Sequence, residues 1–179
     1  KSYKTHALYG YQGTSFKYLE PQKWKLSDAD YAQNHLLILS GLYGILRPFD
    51  LINKYRLEMG LKFQLESNKS LTQFWKDKLT TYFNSFEENN FIINLASKEY
   101  SNVLETSSLN STIIDCIFYE KSNNSLKIIG SYSKAARGCM ANFIVKNKLE
   151  TIKDLMTFSE MGYNFLSNES SNTKLVFVR

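Results

Sequence analysis

The sequence predicts a single α/β domain, a central mixed β-sheet flanked by helices, and three observations lead there. Two mostly apolar runs, "LLIL" (36–39) and "FIINLA" (91–96), have the length and composition of buried strands, and each leads into a serine with polar residues behind it. Two longer segments, 70–86 and 134–149, repeat apolar residues at helical spacing. Between them, "STIIDCIFYE" and "LKIIGSYS" flank "KSNNS", whose Asn-Asn pair is turn chemistry, so they read as a β-hairpin. No linker rich in Pro, Gly or Ser divides the 179 residues, and neither repeats nor low-complexity segments occur.

In chain order, "THALYGY" (5–11) reads as a strand at the very beginning, as if a preceding segment were missing. "SDADYAQNHL" (27–36) reads as a short helix with Ser27 as its cap and acids in its first turn. "LLIL" follows as a buried strand into Ser40. The helix over 70–86 turns Leu71, Phe74, Trp75, Leu79, Tyr82 and Phe86 to one side. "FIINLA" is the next strand, ending in "SKEY", and the hairpin comes after it. The helix "KAARGCMANFIVKNKL" (134–149), capped by Ser133, buries Ala136, Cys139, Met140, Phe143 and Ile144. A shorter helix at "TIKDLMTF", a polar loop at 167–174 and a closing strand, "LVFVR", complete the chain.

Composition narrows the function. The chain is 43% hydrophobic and 15% aromatic, which suits one well-filled core. Its longest apolar runs fall far short of the ~20 residues of a bilayer span, so no membrane role is expected. No signal peptide is visible. Cys116 and Cys139 lack metal-type spacing and read as reduced core thiols of a cytoplasmic protein. His6 and His35 have no second ligand at helical spacing, so neither a metal centre nor another cofactor is expected. Nor does any motif place a histidine for a Ser-His-Asp set.

Charge is unevenly spread. The net +5 resides in residues 121–149, which hold Lys121, Lys127, Lys134, Arg137, Lys146 and Lys148 and no acid. Such a footprint suits DNA or a phosphate-containing small molecule, and a solvated lysine face is the competing reading. With Ser133 as cap, Lys134 and Arg137 would stand in a helical first turn, where free N–H groups favour anions and a bound phosphate would offset the repulsion.

The stretch "SGLYGILRPFDLINKYRLEMG" (40–60) concentrates the remaining candidates. Ser40, Gly41 and Gly44 stand where a strand ends, a usual place for ligands in α/β proteins. Arg47 and Arg56 offer bidentate phosphate recognition, while Tyr43, Asp50 and Glu58 are candidate proton-handling groups. The alternative is a salt-bridged loop clamped to the core by Tyr43 and Tyr55. The start of the 134–149 helix is the expected opposite wall of the site.

Four blocks, "LSGLYGILRPFDLINKYRLEMG", "INLASKEY", "SYSKAARGCMANFIV" and "GYNF…LVFVR", closely resemble, in the same order, those of the YaaA family of bacterial peroxide-stress proteins. The resemblance runs over nearly the whole chain. It implies an α/β domain of unusual topology with a positively charged cleft, DNA binding, and a role in limiting iron-dependent peroxide damage. It also implies an N-terminal segment that the family has and this chain lacks. Carried over by motif, the first block marks Ser40, Gly41, Tyr43, Gly44, Arg47, Asp50, Tyr55, Arg56 and Glu58. The second marks Asn94, Ser97, Glu99 and Tyr100, and the third Lys134, Arg137 and Gly138. Asn53-Lys54 and Cys139 depart from the family pattern. The sequence therefore points to a DNA-binding peroxide-stress protein, with two alternatives. One is an enzyme acting on a nucleotide, nucleic-acid base or phosphorylated small molecule, and the other a scaffold whose polar blocks are structural.

Overall fold

The computed structural model of the chain describes residues 4–61, 70–86, 91–104, 108–123 and 125–179. Its centre is a five-stranded mixed sheet. β5 (Phe91–Asn94) lies parallel to β6 (Thr112–Ser122), which lies parallel to β9 (Lys174–Val178), and β8 (Asn164–Phe165) closes antiparallel on β9. β7 (Ser125–Lys127) folds back antiparallel on the far end of β6.

Alternation explains how the sheet is covered. Ile114, Cys116 and Phe118 of β6, with Leu175 and Phe177 of β9, face the long helix α6 (Gly130–Asn147) and bury Ala136 and Met140 against it. Phe118 stacks on Phe177 with centroids 5.3 Å apart, and Phe158 and Tyr163 pack edge-on around them. In a second cluster, Ile92 and Ile113 pack against α4 (Leu71–Phe83), α5 (Lys98–Ser101) and the following turn through Leu79, Phe83, Tyr100, Val103 and Leu104. Ser70 caps α4 by accepting the Gln73 N–H, and Gln73 returns the bond.

The amino-terminal third forms a smaller layer. β1 (Thr5–His6) pairs antiparallel with β4 (Leu51–Ile52), and β2 (Ile38–Ser40) with β3 (Gly44–Leu46). α1 (Ala7–Gly10), α2 (Thr14–Leu19) and α3 (Leu26–His35) connect them. Ala7, Ile38, Leu46 and Ile52 make a third cluster, with Tyr11, Phe16 and Tyr43 at its edge. The "LLIL" strand therefore belongs to a two-stranded ribbon beside the central sheet. α7 (Ile152–Leu155) is capped by Thr151, as a Thr-x-x-Asp sequence favours.

Three expectations are corrected. "THALYGY" leaves the extended state after His6, because the Ala7 and Leu8 N–H groups donate to the Asp50 and Pro48 carbonyls and the chain turns into α1. Ser27 is not the cap of α3. The helix starts at Leu26, and Asp28 reaches back to the Lys25 N–H at 3.0 Å. The largest change is at α6, which begins at Gly130: the Ser133 N–H already donates to the Ile129 carbonyl at 2.9 Å. Ser133 is therefore inside the helix, and Lys134 and Arg137 lie beyond its first turn. The hairpin is real but short, since β7 ends at Lys127. Asn123 takes the left-handed conformation (φ 44°) that the turn requires, and Asn124 lies outside the described residues.

Candidate functional site

β2 ends on Ser40, whose side chain is buried and fully engaged. Its Oγ accepts the Tyr43 N–H at 3.0 Å and lies 2.5 Å from the Tyr55 hydroxyl. Tyr55 in turn meets the Tyr11 hydroxyl at 2.5 Å. The result is a chain of three hydroxyls joining β2, the 53–60 segment and the loop after α1. Burial pushes the Tyr11 phenol well above its ordinary range. At neutral pH that phenol stays protonated and is not a base. Tyr43 reaches the same segment: its hydroxyl accepts the Asn53 N–H at 3.1 Å, and its ring meets Tyr55 edge-on.

Gly41 and Gly44 serve close approach within the protein. A Cβ on Gly41 would lie 2.5 Å from the Leu57 carbonyl oxygen. Gly44 has φ +74°, and a Cβ there would lie 2.5 Å from the Trp75 ring. The Trp75 indole N–H donates to the Gly41 carbonyl at 2.8 Å, locking the ring in place.

Arg47 and Asp50 build a turn. The Arg47 backbone N–H donates to Asp50 Oδ2 at 2.7 Å, and its guanidinium donates to the Gln33 carbonyl on α3 at 2.9 Å. Gln33 Oε1 accepts the Phe49 N–H, and His6 Nδ1 lies 2.7 Å from the Phe49 carbonyl. Residues 54–58 then alternate in exposure: Tyr55 and Leu57 turn inward, while Lys54, Arg56 and Glu58 face solvent. Among the described residues, Arg56 and Glu58 take part in no ion pair. Glu99 Oε1 accepts the Gly60 N–H at 3.0 Å and so pins the end of the stretch to α5. Tyr100 packs beside it, its phenol raised first by burial and then by Glu99 and Tyr55.

In the second block, Asn94 donates to Asp115 Oδ1 at 2.7 Å across the parallel pair and accepts the Ala96 N–H. Ser97 precedes α5 and receives the Tyr100 and Ser101 N–H groups on its carbonyl. On α6 the Lys134 side chain is exposed, and its carbonyl accepts the Ser15 hydroxyl at 2.8 Å. Arg137 is half-buried, which lowers its pKa, and Nε donates to the Ser133 carbonyl. Gly138 lets α2 cross, because a Cβ there would lie 2.2 Å from the Ser15 carbonyl oxygen.

The fold thus gathers Ser40, Gly41, Tyr43, Gly44, Tyr55, Glu99 and Tyr100 into one knot and sets Arg47 and Asp50 on the α3 side. The Lys134 backbone is linked to that knot through α2, by way of Ser15, then Phe16 stacked on Tyr11, then Tyr55. Tyr11 is the member that sequence reasoning missed, hidden inside a segment read as strand. Gln33 carried no signal at all. Chemically, the knot is a set of donors and acceptors that satisfy one another. Neither histidine approaches Ser40, since His35 Nδ1 lies 2.8 Å from the Tyr31 carbonyl and His6 serves Phe49. Among the described residues, no three His, Cys, Asp or Glu side chains gather as a metal site would need.

Fold and site together define a single-domain mixed α/β protein whose polar loops are cross-tied by tyrosine hydroxyls beside a lysine-bearing long helix. The family model described as peroxide stress protein YaaA matches residues 1–169. A UPF0246 protein of Legionella pneumophila strain Lens is 43% identical over 176 residues, covering 97% of this chain and 68% of that protein. A UPF0246 protein of the Philadelphia 1 strain is 42% identical over the same shares, and one of the Paris strain is 42% identical over 96% of this chain and 69% of its own. The chain belongs to the YaaA family of peroxide stress proteins. No helix among the described residues is long and apolar enough to cross a membrane.

Proposed function

We propose that the chain acts in the peroxide stress response by holding DNA through its phosphates, limiting iron-dependent peroxide damage to what it covers. The observation that carries this reading is the acid-free segment 121–149 and the state of its cations. Lys148 is ion-paired with Asp28 at 3.1 Å, and Arg137 bonds to its own helix. Lys121, Lys127, Lys134 and Lys146 are exposed and form no ion pair among the described residues. Exposed lysines that form no ion pair attract a polyanion without reading sequence.

The state of the acids favours this reading over an enzyme at the same loops. Asp50 and Glu99 each accept a backbone N–H group, and Glu58 is exposed. The test is complementation of a peroxide-sensitive bacterial strain lacking its own copy. The combined Lys121→Ala, Lys127→Ala, Lys134→Ala variant should fail to restore survival while accumulating normally, whereas Glu58→Gln should restore it. Full rescue by the triple variant, or failure of Glu58→Gln, would overturn the reading.

A further inference from the structure

An open depression of about 420 Å³ lies on the α1–α2 face, lined in part by Tyr9, Tyr11, Gln12, Phe16, Lys17 and Gln22. That volume falls within the ~300–1,000 Å³ typical of small-molecule sites. No residue singled out from the sequence lines it. Its aromatic surface is already set: Tyr11 and Phe16 stack with centroids 5.0 Å apart and planes 26° off parallel. Tyr11 cannot swing away, because its hydroxyl is tied to Tyr55 and, through it, to Ser40. Tyr9 stands 51% exposed beside this pair.

The polar lining differs from the knot at residues 40–60. Among the described residues, the side chains of Tyr9, Gln12, Lys17 and Gln22 make no hydrogen bond or ion pair. No acid lines the depression, and Glu20 nearby is turned to Lys23 at 2.7 Å. Two amides, each both donor and acceptor, are the groups that match the edge of a nucleobase. An aromatic face stacks any base, worth ~1–3 kcal/mol by substitution. One ammonium serves an attached phosphate. A purely apolar ligand would leave the amides and lysine unmatched, and a metal cation would find no carboxylate.

We infer that the α1–α2 depression is a nucleobase-binding site, stacking the base against Tyr9 and the Tyr11–Phe16 pair with its phosphate on Lys17. The inference deepens the nucleic-acid reading and rests on it for the source of the base, which is either a free nucleotide or an unpaired nucleotide of a strand. α2 also carries Ser15, bonded to the Lys134 carbonyl, so depression and basic helix share one element.

Calorimetric titration of the whole chain with adenosine 5′-monophosphate, and separately with ribose 5-phosphate, tests the site. The nucleotide should bind at least tenfold more tightly than the sugar phosphate, and Tyr9→Ala should weaken it about tenfold, as loss of one stacking face predicts. Gln12→Ala, at another exposed position, should weaken it as well. Equal binding of the two ligands, or no change in both variants, would overturn the inference. A short single-stranded oligonucleotide containing 2-aminopurine separates the sources. A fluorescence change lost in Tyr9→Ala assigns the site to strands, and nucleotide binding without such a change assigns it to free nucleotides. Duplex DNA affinity measured alongside keeps the failures apart. Duplex binding without base-dependent nucleotide binding removes this site and leaves the phosphate reading standing, and the reverse pattern does the opposite.

Discussion

At Gly44 the backbone is left-handed (φ +74°), and the position a Cβ would occupy is 2.5 Å from a Trp75 ring held by its bond to Gly41. Alanine there costs about 1–2 kcal/mol for the backbone and a further ~1–3 kcal/mol for the displaced ring. Gly44→Ala should therefore lower the urea midpoint clearly. Gly130→Ala, where a Cβ meets open space at the start of α6, should leave it unchanged or raise it slightly. Comparable losses for the two would mean that Trp75 is not seated as described. Tyr55→Phe removes the hydroxyl between Tyr11 and the buried Ser40, and stranding that group costs about 1–3 kcal/mol. Ser40, Tyr43 and Tyr55 were legible as important residues because polar and aromatic groups crowd a strand end. That they would satisfy one another was not legible, since Tyr11 lies far away in the chain and no spacing links it to Tyr55.

The closest approach between elements made without side-chain bulk is the crossing of α2 over α6 at Gly138, where the Ser15 carbonyl meets the helix backbone. Gly138→Ala should force α2 off α6, lowering the melting temperature and speeding amide exchange over residues 14–19. A variant with unchanged α2 exchange would refute that close approach. Elements were readable where periodicity and burial agree. β6 alternates Ile114, Cys116 and Phe118 into the core, and α4 announces itself through Ser70 and Gln73. They were misread where local preference competes with tertiary bonds. Ile128 and Ile129 are β-branched and look like strand, but both are exposed and α6 begins immediately after them. "ALYG" lies in a segment that reads as strand, yet the Ala7 and Leu8 N–H groups are taken by the 47–50 turn.

Across the whole molecule, burial holds several acids in their protonated form. It pushes the Cys116 thiol up to about 12 and the Cys139 thiol to about 11, and raises the phenols of Tyr11, Tyr31 and Tyr163. In the unfolded chain the thiols titrate near ~8.5 and the phenols near ~10. The native state therefore holds more protons at alkaline pH, and stability should be flat from about pH 7 to about pH 8.5 and fall steadily as pH rises towards 12. Equilibrium unfolding from pH 7 to 11 checks this, and a rise with pH would contradict it. The same burial makes both thiols slow towards disulfide reagents at neutral pH, since the thiolate is the reactive form. The net +5 and its confinement to 121–149 could be read from the sequence, whereas which lysines stay unpaired required the fold. The most direct measurement is fluorescence anisotropy of a duplex DNA across a salt series, comparing the wild type with the Lys121, Lys127, Lys134 triple alanine variant. Wild-type affinity should fall linearly on a log–log plot, and the variant's slope should be shallower by about 0.9 for each phosphate it no longer neutralises. An identical slope and affinity for the two proteins, or no salt-dependent binding by the wild type, would contradict the account.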